Sequence, residues 1–181
     1  MQIRRITTAE SDAGVLTQVD DLTETGTRKV FDSVNIWGFD AIPDLPLRPE
    51  DVFGEYQDRG MFGPPGSLHA DLLILPPDRG DVPADLAETA SKINLGTGGG
   101  MIEGKEGFGM HRTDTIDWLI VLEGSANVAY PDGNGGEHEI TLQVGDFLTH
   151  NGTFHRWHNR SEHTCTLLCV TFPAVRRETT E

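Results

Sequence analysis

From Met110 to Phe172 the chain runs as a train of short segments, IDWLIVLEG, SANVAY, HEITLQVGD, FLTHNGT, FHRWHN and TCTLLCVTF. Each is rich in β-branched or aromatic residues and is cut from the next by Gly, Asn or Asp, the punctuation of β-strands and turns. PDGNGGE, between the second and third segments, has the composition of a hairpin loop. Strands recurring at roughly 8–12-residue intervals point to an all-β sandwich or barrel.

The N-terminal half is less regular. IRRITT, the weaker GVLTQV and RKVFDSVNIWGF read as β-like stretches. Between Asp40 and Gly66 the residues Pro43, Pro46, Pro49, Pro64 and Pro65, with several acidic side chains, predict a long irregular crossing holding short turns of helix. LHADLLIL at 68–75 reads as a strand ended by Pro76 and Pro77. PADLAETASKI at 83–93 opens with Pro and carries good helix formers, which predicts a short helix. The glycine-dense stretch 96–109 lacks the Gly-Lys-Ser/Thr of a phosphate loop and reads as a lip beside a site. With 181 residues the chain fits one domain, an N-terminal extension over 1–95 packing on a core over 96–175.

The net charge of -15 comes from 29 acidic and 14 basic residues. Divided after residues 60 and 120, the thirds carry -6, -5 and -4, so the acidity covers the whole surface. Such a surface repels phosphate backbones and anionic lipid, and neither nucleic acid nor membrane is an expected partner. No apolar run reaches the length of a membrane span and the N-terminus lacks a signal-peptide core, so the expected location is cytoplasmic. Cys165 and Cys169 lie four apart in a β-type run, about 13 Å when extended. That is too far for a bridge, and both are expected to be reduced core thiols.

Four of the seven histidines, His111, His150, His155 and His158, fall in the β-rich segment. Strand alternation puts His155, Trp157 and Asn159 on one face of FHRWHN, and Arg156, His158 and Arg160 on the other. His111 and Thr113 share a face in the same way. Asp117 interrupts an apolar strand between Ile116 and Trp118, where a carboxylate is costly to bury unless it is paired, hydrogen-bonded or bound to a cation. His69 and His138 have no such context and read as structural or solvated.

His111-x-Thr113, Asp117 and Gly124 resemble the first cupin motif, and Gly145-Asp146, Gly152-Thr153-Phe154-His155 and Asn159 resemble the second. The likeness covers residues 107–172. It implies a cupin-type jelly-roll β-barrel with an N-terminal β-rich extension and one or two short helices. It further implies a small ligand in the barrel mouth, a divalent metal (Zn, Fe, Mn or Ni) in many members, and commonly a homodimer whose N-terminal strands pair with the partner. The family binds its metal through two His and a Glu in the first motif and one His in the second. Here His111 and His155 match the outer pair, Thr113 replaces the second His, Asp117 replaces the Glu, and His150 stands where Pro is usual. A metal site of His111, Asp117 and His155 with open positions is one reading, and a metal-free site is another.

Three functions stay open at this level. The leading one is lyase, isomerase or cyclase chemistry on an organic, aromatic-type substrate: dehydration, decarboxylation or cyclisation by acid–base catalysis, with or without a metal. Asp117 would act as base, His155 as partner acid or ligand, and His111 as ligand or oxyanion donor. Thr113, Trp157 and His150 would line the substrate site. The alternatives are an Fe(II) dioxygenase with the same ligands and a metal-free module that binds or senses a small molecule.

Overall fold

The computed structural model describes residues 2–22, 32–53, 62–78, 102–103 and 109–177. The expected helix at 83–93 and nearly all of the glycine-dense stretch lie outside the described residues. What is described is almost entirely antiparallel β-structure.

The N-terminus forms a hairpin of β1 (Arg4–Ser11) and β2 (Gly14–Asp21), followed by β3 (Asp32–Phe39). The Pro-rich crossing contains one short helical turn, α1 (Pro49–Val52), with Pro49 at its start. The chain then enters β4 (Leu68–Leu75), with the bounds the sequence predicts. The motif-bearing half supplies β5 (Ile102–Glu103), β6 (His111–Arg112), β7 (Thr115–Glu123), β8 (Ser125–Pro131), β9 (Glu137–Gln143), β10 (Phe147–Asn151), β11 (Arg156–His158) and β12 (Cys165–Pro173).

Two sheets result. One has the order β10-β7-β12-β4-β3. The other holds β11-β8-β9, and β6, paired to β5, joins its β11 edge through a bridge between His111 and His155. That bridge is made by His111 N–H donating to His155 O at 2.9 Å and His155 N–H donating to His111 O at 2.8 Å. Successive strands cross from one sheet to the other: β7 to β8, β9 to β10, β10 to β11 and β11 to β12. This alternation is the double Greek key of a two-sheet jelly roll.

Strand alternation decides what lies between the sheets. Along β7, Thr115, Asp117, Leu119 and Val121 are buried, whereas Ile116, Trp118 and Leu122 are exposed on the outer face. The inter-sheet core combines Leu119, Val121, Ala126, Val128, Leu142, Cys165, Leu167 and Cys169, with Leu73, Leu75, Leu148, Tyr130 and Trp157 packed against it. Both cysteines are free and buried. Gly124, which turns β7 into β8, has φ +73°, and a Cβ there would lie 2.5 Å from Thr164 O. Only glycine meets both constraints, which is why the first motif ends on it.

The N-terminal hairpin docks on the far side of the larger sheet. Leu22, Val34 and Leu72 form a second cluster with Ile3, Ile36, Ile74 and Leu168. Arg5, nearly buried, pairs with Asp20 at 2.8 Å, donates to Ile36 O, and stands over the Trp37 ring.

Candidate functional site

The register of the larger sheet gathers the polar residues. His150 pairs with Asp117, Asp117 with Thr171, and Thr171 with His69. Directly opposed residues in antiparallel strands point to the same face, so these four make one transverse row on the inner side, and all four are buried. Asp71 follows in the next inward position of β4, fully buried, and accepts a hydrogen bond from Asn35 Nδ2 at 2.9 Å. The opposite sheet contributes His111 and His155 from the β6–β11 bridge.

Three imidazoles meet there. The His150 and His155 rings stack with centroids 4.1 Å apart, and His111 and His155 tilt together at 4.5 Å. Trp157 stands edge-on to both His150 and His155 and walls the cluster toward the apolar core. His111 Nδ1–H donates to Gly109 O and His155 Nδ1–H donates to Thr153 O, both at 2.9 Å. In the neutral rings Nε2 is then a bare lone pair, open to a donor or a metal ion. Burial depresses all three, His150 to about 4 and His155 to about 3; neighbouring imidazoles lower His150 and His155 further, whereas at His111 the hydrogen bond to Gly109 O opposes the fall. His155 is accordingly neutral at physiological pH in the free protein.

Asp117 moves the other way. Burial lifts its carboxyl to about 6, against a hydrogen bond from the Thr115 side chain that favours the carboxylate. Its Oδ1 is buried with no hydrogen-bond partner. The His150 Nε2 atom is in the same condition. Thr113 spends its hydroxyl in a 2.6 Å hydrogen bond with Thr115. Cys169, whose thiol burial pushes well up, is raised further by Asp117 and Asp71.

The structure thus brings together Asp117, His111, His155, His150, Thr113 and Trp157. Asn159, also in the second motif, serves elsewhere: its Nδ2 donates to Leu75 O and His163 O, and its Oδ1 accepts from Ser161. His158 lies on the opposite face and bonds Asp78. His69 and Asp71 share the inner face with the site, although sequence reading assigned His69 no more than a structural role. The signal was present in LHADLLIL, where alternation puts both on the face of Leu73 and Leu75.

The donor types suit a divalent ion: two imidazole nitrogens with their second nitrogens anchored on carbonyls, and a carboxylate oxygen without a partner. Their arrangement does not. His150 and His155 lie ring on ring, Thr113 replaces an imidazole, and among the described residues no three His, Cys, Asp or Glu side chains are placed to hold a metal ion.

The two motifs lie side by side, β7 beside β10 in the larger sheet and β6 beside β11 in the smaller, with His111 and His155 bridged backbone to backbone. This two-sheet antiparallel arrangement agrees with the jelly roll that the two cupin-like motifs imply. No family model matches the chain. Two fungal relatives from Diaporthe leptostromiformis, phomopsin biosynthesis cluster proteins C′ and D, are each 42% identical over 52 residues, 29% of this chain. The match spans 25% of the length of these curated relatives. Among solved structures, a Cupin 2 conserved barrel protein from Salinispora arenicola aligns at TM-score 0.37 and 10% identity, covering 82% of this chain and 81% of its own. Oxalate decarboxylase from Bacillus subtilis, a protein with Mn(II) centres, aligns at 0.37 and 15% identity, over 61% of this chain and 22% of its own. The cupin domain of a transcriptional regulator from Enterobacter cloacae aligns at 0.34 and 16% identity, over 61% and 83%. Among the described residues, no helix is long and apolar enough to cross a membrane.

Proposed function

We propose that the chain is a small-molecule enzyme of the cupin type that performs acid–base chemistry of the lyase, isomerase or cyclase kind between its two sheets. The observation that carries this reading is Asp117: a buried carboxylate with an unpartnered Oδ1 and a pKa of about 6, facing a cluster of neutral imidazoles. A group titrating near neutrality both takes and returns a proton at low cost. Asp117 Oδ1 would remove a proton from the substrate, and the resulting acid would return it to the intermediate or to the leaving group. The Nε2 atoms of His111 and His155 would accept hydrogen bonds from substrate O–H or N–H groups, fixing their orientation. Trp157 would supply a flat wall suited to a planar substrate. The names of the two curated relatives, which place them in a biosynthesis cluster, agree with a small organic substrate.

The same reading includes a homodimer. It is supported by the apolar outer face of β7 and β10, where Ile116, Trp118, Leu122 and Phe147 are exposed. Sedimentation equilibrium is expected to give twice the chain mass, and a monomer at micromolar concentration removes this part.

The catalytic reading is tested without knowing the substrate. The protein is incubated in D2O with a panel of enolisable ketones, hydroxy acids and phenolic compounds, and deuterium wash-in is read by mass spectrometry. At least one compound is expected to exchange, and the exchange is expected to vanish in Asp117→Asn. No exchange across the panel, or exchange that survives this substitution, would reject Asp117 as the base.

A further inference from the structure

The smaller sheet carries a polar row of its own. His111 and His155 are bridged, and the register that sets Arg156 opposite Ala129 and Trp157 opposite Val128 brings Tyr130 to the level of His155. Alternation along β8 turns Ala126, Val128 and Tyr130 to one side, and the Tyr130 ring packs against the inter-sheet core to which the other two belong. That ring stands between two histidines. Its centroid is 5.7 Å from that of buried His150 on β10 and 5.4 Å from that of exposed His138 on β9. Tyr130 is accordingly half-buried, at the open end of the polar region. Among the described residues no group hydrogen-bonds its hydroxyl. Burial raises the phenol above its ordinary 10.0, so it keeps its hydrogen at neutral pH and can offer it to a ligand. His111 and His155 are its complement: their Nδ1–H groups are spent on Gly109 O and Thr153 O, which leaves lone pairs at Nε2. The row therefore holds two acceptors and one donor, with Asp117 on the facing sheet.

We propose that the Tyr130 hydroxyl is a catalytic hydrogen-bond donor to a carbonyl oxygen, and that the substrate is a carbonyl compound that loses a hydrogen from the neighbouring carbon. This rests on the acid–base reading of Asp117 and deepens it, because it names the substrate class. A C–H beside a carbonyl yields its proton only when the oxygen can take up charge, and a donor fixed in a water-poor site stabilises the charged oxygen more than the neutral carbonyl. Asp117 Oδ1 removes the hydrogen: the C–H bond breaks and an O–H bond forms on the carboxyl. The freed electron pair becomes the C=C bond of an enolate, and the C=O π pair settles on the oxygen that Tyr130 O–H holds. Return of the proton from Asp117 to another carbon is an isomerisation. Departure of a group from the β-carbon with its electron pair, followed by its protonation from Asp117, is an elimination. Both restore the carboxylate, and neither consumes an oxidant or co-reactant.

The test is a binding measurement, independent of turnover, with 4-nitrophenolate as a stable mimic of the enolate oxygen. It is made at pH 8 in Asp117→Asn, which keeps the side-chain shape and removes the charge that would repel an anion. The absorbance of the bound phenolate is expected to report a saturable site. Adding Tyr130→Phe, which deletes one oxygen and keeps the ring, is expected to weaken that site at least about tenfold, as loss of a hydrogen bond to a charged group does. Nitrobenzene, the same ring without the oxyanion, is expected to quench tryptophan fluorescence equally in both proteins. An anion that binds neither protein or both alike, or a loss that nitrobenzene shares, would overturn the donor role and leave Asp117 to its own exchange test. Deuterium wash-in that survives Asp117→Asn beside the expected phenolate result would remove the base and keep the donor.

Discussion

The two ends of the space between the sheets are built from the same strands and differ in nearly everything else. At one end β7 supplies Leu119 and Val121, β12 supplies Leu167 and Cys165, β4 supplies Leu73 and Leu75, and β8 supplies Ala126 and Val128. At the other, those same β7, β12 and β4 supply Thr115 and Asp117, Thr171, and His69 and Asp71, while β10 adds His150. The first end gains stability from burying hydrocarbon, and the second surrenders some of it by holding a carboxylate and several imidazoles away from water. A fold can keep such an expensive region when the remainder of the core is well packed, and this is where chemistry is normally placed.

The comparison is broken most forcefully at the apolar end. Leu167 is fully buried among Leu119, Val121 and Cys165. Leu167→Ala is expected to cost about 2–5 kcal/mol in urea unfolding, a large part of the stability of an ordinary domain. A loss below about 1 kcal/mol would mean that this end is loosely packed.

At the polar end the sign reverses. Asp117 has a folded pKa of about 6 against an ordinary 3.8, so the native state holds this proton more tightly than the unfolded chain does. The contribution is fully present below pH about 4 and is lost as the pH rises through 6. Asp117→Asn should therefore stabilise the protein by about 1–3 kcal/mol at pH 8, with little gain at pH 4, while abolishing deuterium wash-in. Equal stability of the two proteins at pH 8 would show that the carboxylate is not strained by burial.

The smallest effect sharpens the same contrast from the imidazole side. His150 titrates near 4 in the folded protein and near 6.5 in the unfolded chain, so its contribution is present above 6.5 and lost as the pH falls toward 4. Replacing it by Gln should remove about one proton from the uptake on unfolding at pH 5, a change of roughly 1.4 kcal/mol per pH unit in the slope of stability. An unchanged slope would mean that water reaches the ring.

Much of this was legible in the sequence. LHADLLIL is a strand over the residues read for it, the motif segment is a train of strands, and the alternation in FHRWHN does turn His155 and Trp157 inward and Arg156 and His158 outward. His150 was harder to place, because its position is one where the family carries Pro. It joins the site because β10 pairs with β7 in the register that sets it beside Asp117. His69 and Asp71 were missed for a related reason: their faces follow from alternation, but their meeting with Thr171 and Cys169 depends on pairing with a strand almost a hundred residues away.

By itself, then, the sequence determined the kind of fold and the inward or outward sense of most side chains, since period-two alternation and turn residues are local properties of the chain. Only the tertiary structure decided which inward residues meet, because strand register is a long-range choice that shifts every neighbour when it slips. It also decided their chemistry. An aspartate near pH 6 and a histidine near pH 3 are products of burial and of neighbours in space, which no stretch of the chain carries alone.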